Sequence, residues 1–379
     1  LRLEDTDQKR EIENAGELLY VALGEFGIVP TEGYRGNSPE RGIYGPYVQS
    51  KRLDIYKAFA KYLVSRGGAY PCFCSKLEDK EEIVAKREQE IEENNDTIDH
   101  DVCRNLSLED VEENLNAGKP FALRLLSTGN PDKTFEIVDL IKGKREIREN
   151  GKDVVLIKSN GIPVYSFAHA VDDTLMGTTM IVRGEDWYQS VASHMEIFDK
   201  FGFNKIPYVH TPNICKLDDG KKRKLSKRKD PEANCMFFIK DGYPVTAVKE
   251  YLLNLLNSDF ETWRKENPNL DYHEFPFKLE KIGSGNPMFD MQKLNDVSKE
   301  YIARLSASQV YSQLLNWAEK YDEDFAQKLK SDERYSLDVL NIERETPNNH
   351  DFIFLQSRLH CSGSSLTNEH SISIEIFLN

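Results

Sequence analysis

The chain has 379 residues, 39% apolar and 30% charged, and a net charge of −14. No apolar run approaches the roughly eighteen residues that a membrane helix needs, and six scattered cysteines are too few for a disulfide scaffold. This length predicts about two to four domains. The acidic balance argues against an indiscriminate nucleic-acid binder, yet residues 221–229 carry seven basic side chains in nine positions. An acidic protein with one such segment handles phosphates at one place.

Leu1-Arg2-Leu3 reads as a short strand running into the acidic turn Glu4-Asp5-Thr6-Asp7. Thr6 or Asp7 caps a helix whose apolar positions Ile12, Ala15, Leu18 and Leu19 have helical spacing. With no initial Met, and neither the basic nor the apolar part of a secretory leader, the chain is expected to be a piece of a longer protein. A Gly/Pro-rich loop over 30–46 leads into an amphipathic helix from about Ser50. Leu53, Tyr56, Phe59, Ala60 and Leu63 form its core side, and Gly67-Gly68 stops it.

From 69 to 150 the character changes. Tyr70-Pro71-Cys72-Phe73-Cys74 precedes a long charged helix and an Asn/Asp-rich break at 94–101, and the segment reads as an α+β insertion with its own small core. Cys72 and Cys74 are the close cysteine pair and point to metal, with reduced thiols as the alternative. Val154 to Lys158 is a buried-type strand, and Asn160-Gly161 offers a tight turn into a second arm, Ile162 to Tyr165. Thr179 to Val182 forms another strand, ending at Arg183-Gly184-Glu185-Asp186 before a helix over 187–202. In an open α/β sheet, ligands sit at that carboxyl edge. The fold class predicted is α/β, an interrupted Rossmann-like doubly wound parallel sheet over 1–68 and 151–215, followed by mainly helical C-terminal domains. Val245, Val248, Leu252, Leu255 and Leu256 share one helical stripe, while the Ser/Asn/His-rich tail from Thr346 shows no period.

Five segments, in this order, resemble the glutamyl-tRNA synthetase family of class I aminoacyl-tRNA synthetases. They are Leu1 to Asp7; Gly45-Pro46-Tyr47-Val48-Gln49-Ser50-Lys51-Arg52; Tyr165-Ser166-Phe167-Ala168 through Val171-Asp172-Asp173 to Ile181-Val182-Arg183-Gly184-Glu185-Asp186; Lys224-Leu225-Ser226-Lys227-Arg228; and Gly285-Asn286-Pro287-Met288-Phe289-Asp290. The resemblance covers roughly residues 1–345. It implies ATP-dependent activation of L-glutamate and transfer to tRNA(Glu), with Mg2+ as companion of ATP, tRNA(Gln) as a second substrate to be decided, a monomer and a cytoplasmic location. It divides the chain into a first catalytic part (1–68), an acceptor-stem-binding insertion (69–150), a second catalytic part (151–215), a stem-contact domain with the Lys-Leu-Ser-Lys-Arg loop (216–300) and the start of an anticodon-binding domain (301–379).

The same resemblance assigns roles. Lys227, on what reads as a mobile basic loop, is the catalytic lysine that meets the ATP phosphates in the transition state. Lys224, Ser226, Arg228, Asp186 and Trp187 complete the ATP site. Arg183, at a strand end where a guanidinium can fork onto a carboxylate, joins Tyr165, Glu4 and His169 around glutamate. Gln49, Ser50 and Arg52 face tRNA. Cys72, Cys74 and Cys103, with His100 or Asp99 as fourth ligand, are the Zn2+ set. Taken singly, Tyr165, His169 and Trp187 read equally as packing, Arg183 as a structural ion pair and the basic run as a solvated turn.

None of the eight histidines forms a His-x-Gly-His. In the family that signature lies upstream of where this chain starts and supplies half the ATP site, so the chain by itself is expected to activate glutamate poorly or not at all. The rivals are a catalytically impaired RNA-binding paralogue, a short enzyme that glutamylates a modified base of tRNA(Asp), and a glutaminyl-specific relative. The helical stretch 300–345 speaks against the short enzyme, and the Glu4-Asp5-Thr6-Asp7 sequence against the glutaminyl one.

Overall fold

The computed structural model describes residues 1–6, 14–74, 101–342 and 344. It divides into two compact units, one of Leu1–Gly24 and Ile28–Thr211, the other of Glu25–Gly27 and the chain from Pro212 onward. No helix among the described residues is long and apolar enough to cross a membrane.

The first unit opens not on a strand but on a single parallel bridge, Leu3 to Val48. Helix α1 (Ala15–Glu25) buries Gly16 and Ala22 and leaves Leu18 and Leu19 exposed, so the expected apolar face is turned outward. Gly16 explains the turn: a side chain there would meet Leu3 and Tyr34 at 3.0 Å, so the helix docks through its smallest residues. The capping role expected of Asp7, and Ile12 with it, lie outside the described residues. A hairpin of β1 (Gly33–Arg35) and β2 (Ser38–Arg41) follows. After a single turn of tighter helix, Gln49–Arg52, comes α2 (Leu53–Ser65), which buries Tyr56, Ala60 and Leu63. Gly67 takes a left-handed φ of 69° just beyond it.

Two sheets build the centre. β3 (Ala69–Cys72), β4 (Ala122–Leu125) and β7 (Val155–Ile157) are antiparallel. Between β3 and β4 lie α3 (Asp101–Arg104) and α4 (Leu108–Asn116), the latter opened by a Ser107–Asp110 capping box. The second sheet has the order β6-β5-β9-β8, from β5 (Thr134–Asp139), β6 (Gly143–Arg148), β8 (Ile181–Gly184) and β9 (Tyr208–Thr211). β5, β9 and β8 run parallel, and β6 is an antiparallel edge. Parallel neighbours need a crossover. Here it is a turn of tight helix, Glu185–Ser190, and α6 (Val191–Phe201), closed by Gly202 at φ 69°.

The second arm of the expected 160s hairpin is replaced. Gly161 makes the turn at φ 79° and Pro163 bridges Ile157, but Pro163 has no N–H to extend a ladder. Val164 is extended, and Tyr165 begins helix α5 (Tyr165–Leu175). One core joins both sheets to three helices: Tyr56 and Leu63 from α2, Leu125 and Leu156 from the antiparallel sheet, Phe167 and Val171 from α5, and Ile197 and Phe198 from α6. The segment 69–150 therefore shares the main core through Ala69, Leu123, Leu125 and Ile137. Its separate core is small: Tyr70, Cys72 and Cys103, with Phe73, Cys74, Leu106 and Leu126 against them.

In the second unit, β10 (Cys215–Asp218) and β11 (Lys221–Lys224) form a hairpin. Its two-residue turn, Asp219-Gly220, has φ of 49° and 77°, the left-handed pair that matches strand twist. Helices α7 (Cys235–Lys240), α8 (Val245–Leu256), α9 (Asp259–Glu266) and α10 (Met291–Ala303) follow. Phe238, Val248, Tyr251, Leu294 and Val297 pack together at their centre. Glu250, buried, is clasped by Arg264 at 2.9 Å and Arg304 at 2.8 Å. Beyond them α11 (Ala307–Tyr321), α12 (Glu323–Ser331) and α13 (Glu333–Leu340) pack around Tyr311, Ala318, Ala326 and Leu329. The tail from 346 lies outside the described residues.

Candidate active site

Three parallel strands deliver polar residues to one edge of the sheet. Asp139 ends β5, Arg183 lies one residue from the end of β8, and His210 pairs with Arg183 on β9. The Arg183 guanidinium donates Nε–H to His210 Nε2 at 3.0 Å, a terminal N–H to His194 Nδ1 at 3.1 Å and another to the Trp187 carbonyl at 3.2 Å. It lies 4.4 Å from the centre of the Tyr208 ring. Guanidinium has five N–H groups, so these contacts leave one on each terminal nitrogen, with the Tyr165 hydroxyl in reach. Among the described residues no carboxylate pairs with Arg183.

Helix α5 forms the wall beside it. Tyr165, His169 and Asp173 recur every fourth residue and share one face. The Tyr165 ring stacks on His169 with centroids 5.3 Å apart and meets Trp187 at 4.2 Å. His169, buried, pairs with Asp173 through Nδ1 and meets the Tyr208 hydroxyl through Nε2 at 3.0 Å. Asp173 also takes Arg2 at 2.6 Å, and Arg2 reaches Glu4 at 2.9 Å. Burial opposes the charge of Asp173, but His169 and Arg2 outweigh it and hold the carboxyl below its usual range. Burial, with Glu4 next, raises the Tyr165 hydroxyl, so it stays a neutral donor. Four sequence-predicted residues, Glu4, Tyr165, His169 and Arg183, thus gather at one place with Trp187. Asp186 is exposed on the turn before α6.

Two residues expected at an RNA surface point inward instead. Gln49 and Arg52 are buried, both on the Asp172 carboxylate, at 3.0 and 2.7 Å, and Tyr56 donates to the same group at 2.6 Å. Arg52 also donates to the Tyr44 and Pro46 carbonyls. A buried carboxylate needs such partners, and they fix the loop ahead of α2 against α5. Ser50 remains exposed, its N–H on Asp5 at 2.8 Å.

The residues that the sequence reading missed are Arg2, Asp139, Asp173, His194 and His210. The four-residue spacing from Tyr165 to Asp173 was the available signal for Asp173. A histidine at the carboxyl end of an apolar strand, Tyr208-Val209-His210, was the signal for His210.

In the second unit the basic segment is less of a loop than expected. Lys221 to Lys224 is strand, and the turn behind it is pinned by Asp230, which takes Arg223 at 2.5 and 2.8 Å and the Ser226 N–H at 2.8 Å. Arg223 and that N–H hold Asp230 far below the usual carboxylate range. Lys227 and Arg228 stand exposed on the turn.

Elsewhere in the first unit, the Cys72, Cys74 and Cys103 sulfurs lie within 4.8 Å of one another. Burial and the neighbouring sulfurs push Cys74 up to about 12. Cys72 is lowered: burial opposes its charge, and the Cys74 N–H and Arg124 favour it. His100 and Asp99 lie outside the described residues.

These features define a class: an open α/β sheet with a cationic, aromatic-walled site at its carboxyl edge. The chain belongs to the class I tRNA synthetases of the E and Q type, whose catalytic-domain model matches residues 1–296. It is 44% identical over 350 residues to a glutamate–tRNA ligase of Clostridium perfringens, covering 92% of this chain and 63% of that protein. A glutamate–tRNA ligase of Sorangium cellulosum is 40% identical over 376 residues, covering 91% and 65%. The chain thus spans somewhat less than two thirds of such relatives' length. A crystal structure of the Elizabethkingia meningosepticum glutamate tRNA ligase in complex with its amino acid superposes with a TM-score of 0.72 at 24% identity, covering 91% of this chain and 70% of that one, and supports the fold.

His194 generates a stability prediction. Burial first, then His169, Arg183 and His210, lower its pKa far below the ordinary value. In the unfolded chain it protonates near pH 6.5, while the folded chain refuses the proton. Its contribution is therefore complete above about pH 6.5 and lost as pH falls below it. Thermal melts from pH 8 to 5 are expected to show Tm dropping in that window, and His194→Asn, which keeps an acceptor for Arg183, to flatten the drop. Asp139, whose burial is outweighed by His210 and the Lys142 and Ile141 N–H groups, and Asp173 are both held below the usual carboxylate range, so they act below about pH 4 and do not overlap. Equal pH slopes in the two proteins would contradict the assignment.

Proposed function

We propose that the chain carries the glutamate-activating centre of a glutamate–tRNA ligase. The observation that carries this reading is Arg183: its charge is uncompensated by any described carboxylate, it is oriented by neutral groups, and its two remaining N–H groups can fork onto an incoming carboxylate. Tyr165 donates a hydrogen bond to the bound amino acid, and Glu4 takes its ammonium. A glutamine side chain in that position would leave the guanidinium charge unanswered, which is the source of discrimination.

A glutamate carboxylate oxygen attacks the α-phosphorus of ATP, the bond to pyrophosphate breaks, and glutamyl-adenylate forms. A hydroxyl of the 3′-terminal ribose of tRNA then attacks the anhydride carbonyl, and AMP leaves. This chain contributes positioning and charge rather than a covalent nucleophile. The exposed Lys227 ammonium meets the growing charge on the phosphates, with Lys224, Ser226 and Arg228 alongside. Mg2+ that travels with ATP supplies further neutralisation. Asp186 and Trp187 lie where adenine and amino acid meet. The partner is tRNA(Glu), with tRNA(Gln) as a second substrate for the assay to decide. Residues 69–150 take the acceptor stem, 216–300 contact the stem, and 301–379 begin the anticodon-binding part.

ATP–pyrophosphate exchange by the natural protein in the presence of tRNA tests this. Exchange should depend on glutamate, be at least about a hundredfold weaker with glutamine, as expected when a charge is left unpaired, and collapse in Arg183→Ala. Exchange supported equally by both amino acids, or by neither, would sink the reading.

Three thiols around one point fit a tetrahedral zinc site with a fourth ligand from nearby chain, so we assign Cys72, Cys74 and Cys103 to a structural Zn2+, completed by His100 or Asp99. Bound there, the ion stiffens a segment whose separate core is thin. Elemental analysis should find one zinc per chain and its loss in Cys103→Ser; zinc-free protein from a chelator-free preparation would exclude it.

A further inference from the structure

The glutamate reading leaves open what aims the guanidinium, and the hydrogen bonds around it answer. We infer that Asp139 is a positioning residue that acts on Arg183 through the tautomer of His210. Guanidinium has no acceptor and an ionised carboxylate no donor. Arg183 donates to His210 Nε2, so that nitrogen must carry the lone pair. Nδ1 therefore carries the proton, and it lies 2.6 Å from Asp139 Oδ2. Both side chains are fully inaccessible to solvent. The same Oδ2 accepts the His210 backbone N–H at 3.1 Å, and Oδ1 accepts the N–H groups of Ile141 and Lys142 at 2.9 and 2.8 Å. All four acceptances require a carboxylate, so Asp139 admits one tautomer of His210 and one donor direction for Arg183.

His194 has the complementary arrangement. Its Nδ1 accepts from Arg183, so Nε2 carries the proton and donates to Ser166 at 3.0 Å. Two neutral rings with opposite tautomers thus grip one cation without cancelling its charge. A carboxylate in either place would neutralise Arg183 and compete with a substrate carboxylate. Passing the contact through an imidazole keeps Asp139 one residue removed from the guanidinium.

Replacing Asp139 with Asn is a small change in shape and a large one in hydrogen bonding. If the amide oxygen keeps the Ile141 and Lys142 N–H groups, its NH2 faces two donors of His210. The ring relieves this by moving its proton to Nε2, and that N–H then confronts Arg183 Nε–H. His210→Gln should be milder, because its side-chain oxygen can accept from Arg183 whatever residue 139 is.

The test rests on the glutamate reading for its kinetic arm and is independent of it in the other. Nitrogen-15 shifts of the His210 imidazole in substrate-free protein should show protonated Nδ1 and bare Nε2, exchanging places in Asp139→Asn. In pyrophosphate exchange, Asp139→Asn should raise the glutamate KM about tenfold or more, the loss of one hydrogen bond to a charged group, and leave the ATP KM within about twofold. Asp139→Asn added to His210→Gln should cost no more than His210→Gln alone, the signature of two residues acting in series. Equal losses from Asp139→Asn in both backgrounds, parallel rises of the glutamate and ATP KM, or protonated Nε2 in the unaltered protein would overturn the inference. If the unaltered natural protein activates no glutamate, the glutamate reading fails and the imidazole shifts alone decide the relay.

Discussion

An arginine can be held in place cheaply by a carboxylate, but the pair is then neutral and has little left to offer an anion. The first unit avoids that outcome at Arg183. Its partners are two imidazoles, a carbonyl and the face of Tyr208. The carboxylates of the neighbourhood are kept one group away: Asp139 behind His210, and Asp173 behind His169 and Arg2. Desolvating a charge is costly unless it is hydrogen-bonded. Here the hydrogen bonds come from neutral groups, so the guanidinium is held in place while its charge is left unneutralised by any described carboxylate.

The architecture supplies the rigidity this needs. The strand register pairs Arg183 with His210 and sets Asp139 beside Tyr208, and a helical repeat puts Tyr165, His169 and Asp173 on one face of α5. The helix is itself fastened through Asp172, which takes Arg52, Gln49 and Tyr56 in the interior. Removing one partner of a buried pair of this kind costs about 3–5 kcal/mol. Gln49 and Arg52 are therefore part of the scaffold that holds α5 beside the sheet.

Much of this was legible beforehand where local chemistry and tertiary demand coincide. The amphipathic helix with Tyr56, Ala60 and Leu63, its Gly67 stop, and Arg183 at a strand's carboxyl edge are such cases. Where they diverge, tertiary packing overrides local pattern. Leu18 and Leu19 have helical spacing, yet the helix docks through Gly16, because close approach to Leu3 and Tyr34 depends on the absence of a side chain. Ile162 to Tyr165 looked like a strand, yet Pro163 interrupts the ladder and a helix begins. Lys221 to Lys224 looked like a flexible run, yet the Asp219-Gly220 turn folds it into a hairpin. Asp139 was illegible for another reason: its partner lies 71 residues away, and only the order of strands in the sheet brings them together.

The most direct measurement is a crystal structure of the protein with a non-hydrolysable analogue of glutamyl-adenylate. A carboxylate of the glutamyl group should lie bidentate on the two remaining N–H groups of Arg183, with the contacts to His210 and His194 unchanged. A glutamyl group bound elsewhere, or an Arg183 that leaves its imidazoles to reach it, would contradict the account.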